Sequence, residues 1–479
     1  MAGTSTSPGA SAVDRAGDTR RRDQGRERSP RLAGEEEYAI INRAGGRRPL
    51  MMSDTANNKP AKMALFALLL LATTVVGVAG KSCAGLVLSE AVVSLFDGCT
   101  RIAGDLKIDA TSDIVSLDHA ALAGIVAIDG DLDISNTGDT LKAIDSETGG
   151  LANLVNVSGL VKISYNYRLP GVFLPHLERV GGRIYIYAVG GSISASTAQP
   201  RSPISFPKLV TVGDYVYMGG LYGVTSVSMP ALKTVGSSLL CDNCVAGYFS
   251  KFPDTGFDLD TPMTLDFRSL VSVGTYIQLT NLGQSLKSGR RPNLRMNFSA
   301  LETVGGYVEM KNIRTAYPAQ FEIPMANLQQ VSGGGTGGNA IYVYDVDASV
   351  LDLGGLERTS HSTDGSIKIS TNDHLRELRL GSLRAVAGSL IVESNVELTS
   401  LVLPVPAASW QVQDHITVMA NLMLPCEQAT NSNLTGKVSS ADQVMVFGCN
   451  GTVPGLTTCP GLVLSEAVIS LFDGCTRIA

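Results

Sequence analysis

One motif recurs through the middle of the chain and limits what it can fold into. It has the form Leu-x-x-Val-Gly-Gly-x-(Ile/Val/Leu)-x-(Ile/Val/Leu), and it reads LERVGGRIYI from 177, LVTVGDYVYM from 209 and LETVGGYVEM from 301. Its leading leucine also falls at Leu232, Leu270, Leu328, Leu356 and Leu383. The eight positions are separated by 32, 23, 38, 31, 27, 28 and 27 residues, a period at which self-similarity signals a solenoid. Looser copies precede them: IAGDLKI from 102, IDGDLDI from 128 and VSGLVKI from 157.

Each copy ends in strict apolar/polar alternation, the period of a half-buried strand. The glycine pair before it suits a tight turn with positive φ. One copy therefore reads as one coil, which cannot bury its apolar face alone. About eleven coils stacked at roughly 4.8 Å would share a core some 50 Å long. Composition agrees: 51 glycines, 6% aromatic and 17% charged residues suit short strands between tight turns better than long helices. The expected fold is mainly β, a solenoid of leucine-rich-like coils.

Open sheet edges at the ends of such a stack need caps. Cys83 and Cys99 flank an apolar, helix-like segment, LVLSEAVVSLF, just before the first coil; Cys426 and Cys449 follow the last one. In an oxidising compartment these cysteines should form disulfides. Cys241 and Cys244 have the spacing of a redox dithiol, but they sit in a repeat turn without βαβ context, so a short structural disulfide is expected.

Residues 1–62 carry a charge of +4 and the remainder −10. The acidic body argues against nucleic-acid binding. With little apolar periodicity, residues 1–62 read as a disordered basic leader. Residues 63–80 hold no charge from Met63 to Gly80, close to the roughly 20 residues that cross a bilayer as a helix. They read as a transmembrane signal anchor or a signal peptide, the long leader favouring the anchor. Either way residues 81–458 lie outside the cytoplasm, in the cell-membrane form or a secreted one. Residues 459–479 match residues 83–103 at 19 of 21 positions, which reads as the start of a duplicated second unit, truncated.

The cysteine pair followed by (Ile/Val)-x-Gly-(Asp/Asn)-Leu-x-Ile, here Cys83, Cys99, Gly104, Asp105, Leu106 and Ile108, and then the repeated coils, resembles the receptor L domain. That domain occurs in insulin and epidermal growth factor receptor ectodomains; related fungal proteins are cell-wall and sporulation-specific proteins anchored by glycosylphosphatidylinositol. The resemblance covers about residues 83–450. It implies a right-handed β-solenoid with disulfide-closed ends that binds ligands or supports a cell surface without chemistry of its own. No kinase signature follows the coils, and the fungal Ser/Thr-rich stretch with its anchor signal is missing.

Candidate functional residues follow from the alternation. Tyr185, Tyr217 and Tyr342 occupy one outward repeat position, and Tyr215, Tyr276 and Tyr307 the position two residues earlier. Stacked coils would line them into an aromatic stripe, a rigid contact area with polar tips, although strands favour tyrosine for packing alone. The sequons at Asn156, Asn297, Asn433 and Asn450 are candidate glycan acceptors on surface loops.

Other signals are weak. Gly333, Gly335 and Gly338 fit a G-x-G-x-x-G but lead into a strand, so they read as a flexible loop insertion. Asp129, Asp131 and Asp133 open like a calcium loop whose glycine is misplaced. The five histidines show no zinc-binding spacing, and neither a metal nor a cofactor is expected. The expected function is a non-catalytic extracellular module that binds a protein or glycan at the cell surface. The alternatives are a structural wall glycoprotein and, less favoured, a carbohydrate-active β-helix enzyme.

Overall fold

The computed structural model describes residues 80–137, 141, 144, 150–167, 169, 171–190, 203–221, 224–244, 262–284, 290–360, 365–404, 410–425, 428 and 444–449. All belong to the second of two compact units, Gly77–Ala479. The leader, residues 63–79, Cys426, Asn433, Asn450 and the repeat at 459–479 lie outside the described residues. Among the described residues no helix is long and apolar enough to cross a membrane.

Each repeat makes one turn of a parallel β-solenoid, and three ladders run along it. The first holds the alternating segments, from Cys99–Ile108, Leu132–Ser135 and Val161–Asn166 to Ile416–Met419 and Val444–Phe447. Every strand there pairs in parallel with its counterpart one coil away, as Val216–Gly219 does with Ile184–Val189 and Leu239–Asp242. The second ladder has eleven two-residue strands among the described residues, from Ala127–Ile128 to Gln411–Val412. The third is split into Val172–Phe173 through Leu294–Asn297 and Glu322–Pro324 through Ser400–Val402.

The motif explains these ladders residue by residue. The leucines at 177, 209, 232, 270, 301, 328, 356 and 383 are all fully buried. The motif valines, such as Val180, Val212, Val235, Val273 and Val304, end the short strands and stack inward. Alternate residues of the long strands do the same: Ile184, Val216, Leu239 and Ile277 form one column. A column of Phe206, Met229, Phe267 and Phe298 lines the third side, and the last two rings stack with centroids 5.5 Å apart. Stacking removes apolar surface from water that no single coil could hide.

The motif glycines differ from expectation. None of Gly181, Gly213, Gly236, Gly274 or Gly305 has a positive φ. They are needed because successive coils approach too closely for a side chain. A Cβ on Gly213 would lie 1.9 Å from the Gly181 carbonyl oxygen, and one on Gly236 would lie 2.0 Å from that of Gly213.

Positive φ falls instead at the end of the eleven long strands from Leu132–Ser135 to Ile416–Met419, at Asn136, Tyr165, Ala188, Gly220, Asn243, Asn281, Asn312, Asp345, Thr371, Ser394 and Ala420. There the chain turns a corner, and the next side chain points inward. At three successive corners that side chain is a buried asparagine, Asn372, Asn395 and Asn421. Asn395 Nδ2 donates to Ile369 O at 3.1 Å, and its Oδ1 accepts from the Asn372 amide at 3.1 Å. The corner carbonyls and amides are thereby satisfied inside the core.

The cap departs from the helix-like reading. Its first half is a strand, Lys81–Val87, paired in parallel with Cys99–Ile108, and only Val93–Phe96 makes a 3₁₀ turn. Leu88, Val93 and Phe96 are drawn into the core, so burial against the first coil overrides helical periodicity. The Cys83–Cys99 disulfide joins the two strands. Cys449 at the other end is also disulfide-bonded.

Candidate binding face

The long strands place their non-core residues on one outer face in fixed register. Tyr185 is paired with Tyr217 and lies next to Lys162 on the other side. Their rings stack with centroids 5.1 Å apart and planes 15° from parallel. Two residues along the same strand, Tyr187 meets both rings, at 6.2 and 6.3 Å. Tyr165, at a corner with φ of 56°, points its ring edge-on at Tyr187 across 5.4 Å. Four tyrosines from three coils thus form one patch. At its margin the Arg183 guanidinium lies over the Tyr215 ring at 5.3 Å, an attraction between a cation and the ring quadrupole.

A second patch lies further along. Tyr276 and Tyr307 stack at 4.7 Å with planes 5° apart. Beyond them Lys311 sits 4.9 Å over Tyr342, which neighbours Tyr344 at 6.0 Å. Between the tyrosines Glu309 is 2% exposed although it occupies an outward position, and it pairs with Lys311. Burial, then Tyr276 and the Glu309 carboxylate, push the Tyr307 phenol well above the ordinary tyrosine range.

The six tyrosines therefore occupy the two equivalent positions that the repeat implies, but they do not make one stripe. Leu240, Gln278 and Glu309 separate Tyr217 from Tyr342 in register, and Ser238 separates Tyr215 from Tyr276. Tyr165, Tyr187 and Tyr344 were missed because the motif ends before them; Tyr187 and Tyr344 continue the alternation two residues past Tyr185 and Tyr342, and Tyr165 is brought in by its positive-φ corner. Within each stacked pair the inner ring faces cover each other, and Tyr185 and Tyr217 are only partly buried.

The glycine-rich segment is not a free insertion. A Cβ on Gly335 would lie 2.6 Å from the Tyr307 ring, and the Gly333 amide donates to Gly306 O at 2.6 Å. Its glycines let the loop lie flat on the second patch, a close approach that a bare count of glycines does not reveal.

The remaining candidates resolve individually. Cys241 and Cys244 are bonded to each other, and both are buried at a core corner, away from the exposure that redox cysteines need. Asp129 pairs with Arg101, Asp131 accepts from the Leu160 amide at 2.7 Å, and Asp133 faces Lys162 at 3.5 Å. Their side chains are engaged separately instead of converging. Asn156 and Asn297 lie on strands, not loops: the first belongs to Asn156–Val157 and the second closes Leu294–Asn297. Both are partly exposed because they occupy outward strand positions. No three metal-ligating side chains gather among the described residues.

No family model matches this chain, and no curated protein or solved structure matches it either.

Proposed function

We propose that the protein is an extracellular binding or adhesion module whose solenoid holds tyrosine patches at fixed spacing for a protein or glycan partner. The observation behind this reading is the Tyr165–Tyr185–Tyr187–Tyr217 cluster. A rigid sheet fixes these rings before any partner arrives, so little side-chain freedom remains to be lost on binding. The resemblance to receptor L domains and the engaged cysteines support placing the module outside the cytoplasm, anchored or released through residues 63–80.

The test is binding of the full chain to a glycan array and to a display library of extracellular domains, repeated with a Tyr185→Ala, Tyr217→Ala double variant. The expected result is at least one ligand retained by the parent and lost by the variant. Ligands held equally by both proteins would sink the tyrosine reading. An empty result on both libraries would favour the second reading, a structural surface glycoprotein; the outward placement of Asn156 and Asn297 on the solenoid wall supports that one.

A further inference from the structure

The large apolar side chains that the fold leaves in water are concentrated at its ends. Of eleven among the described residues, nine lie before residue 127 or after residue 395. The most exposed are Leu95 at 58% in the cap turn and Met423 at 53% and Leu422 at 50% beyond the last corner. The interior columns are open at the same places. Leu86, in register with the fully buried Leu106, is only partly covered, and so are Val444 and Val446, in register with the buried Ile416 and Val418. Two strand edges accompany them. Among the described strands Lys81–Val87 pairs with Cys99–Ile108 alone, and Val444–Phe447 with Ile416–Met419 alone.

We propose that these two ends bind each other between copies of this chain, the cap strand Lys81–Val87 of one seating on Val444–Phe447 of the next. All ladders are parallel, so the ends are unlike, and only head-to-tail contact continues the parallel register. It also extends the column from Val444 of one copy to Leu86 of the next. Such a contact is heterologous: every added copy leaves a free end, and growth does not stop at two. The cap sequence itself recurs from 459, ten residues after Cys449, at 19 of 21 positions. This inference does not depend on what the tyrosine face binds.

Sedimentation velocity of the full chain over roughly a hundredfold concentration range reads the association directly. Growth beyond dimers is expected for the parent. Leu95→Asp at the cap and Met445→Asp at the opposite end should each remain monomeric, with circular dichroism unchanged from the parent. Mixing the two variants should give dimers and nothing larger, since one intact contact remains per pair. A parent that is monomeric throughout, one that stops at a dimer, or variants that assemble like the parent would overturn the proposal. A deletion of residues 459–479 separates the occupants: growth seen only after that deletion would assign the end to the chain's own repeat and overturn binding of a second copy.

Discussion

Gly236→Ala tests why the motif contains glycine. The added Cβ would stand 2.0 Å from the Gly213 carbonyl oxygen, against 3.4 to 4 Å for an ordinary contact. Relieving that overlap requires the two coils to separate by about 1.4 Å, on a spacing of about 4.8 Å. The Gly236 amide donates to Val212 O and the Ser237 amide to Asp214 O, both at 2.9 Å, and neither bond survives the displacement. Two backbone hydrogen bonds at about 1 kcal/mol each, with about 1–3 kcal/mol of overpacking, give about 3–5 kcal/mol. Urea denaturation should show the loss as a lower midpoint, and hydrogen exchange should localise it to the amides of Gly236 and Ser237. Gly236→Asn should be at least as damaging. Asparagine tolerates positive φ, so an asparagine variant clearly more stable than the alanine one would refute the close-approach argument, as would an alanine variant within about 0.5 kcal/mol of the parent.

Three further outcomes follow from the same structure. Ala188→Gly, at a corner with φ of 53°, should stabilise the protein by about 1 kcal/mol by removing left-handed strain, read as a higher urea midpoint. Asn395→Leu should cost about 2–4 kcal/mol by leaving the Asn372 amide and the Ile369 carbonyl buried and unpaired, with exchange accelerated at Asn372. Tyr307 should be among the last tyrosines to ionise in an ultraviolet titration, and Tyr307→Phe should remove that late component. The folded phenol ionises above its unfolded value, so its contribution to stability is complete below the ordinary tyrosine range and is lost as pH climbs through the folded value.

The repeat was legible in the sequence because burial imposes it locally. Leu209, Val212, Val216 and Met218 point inward in every arrangement that hides them, and their spacing alone states the coil. The cap cysteines were legible for a similar reason, since they bracket the point where the repeat begins. What the motif could not state was the distance between neighbouring coils. Gly213 and Gly236 look like turn formers until Gly181 is stacked beneath the first and Gly213 beneath the second.

The composition of the tyrosine patches likewise waited for the third dimension. Tyr185 and Tyr217 lie 32 residues apart in sequence, yet register makes them ring neighbours; Tyr342 holds the same repeat position but lies beyond Leu240, Gln278 and Glu309. Periodicity told which way each side chain points, because alternation along a strand is a local property of the backbone. Coil lengths that differ from copy to copy leave that register unchanged. What only the closed stack settles is how near the rings lie and which corner turns a ring such as Tyr165 onto its neighbour, because those contacts are non-local.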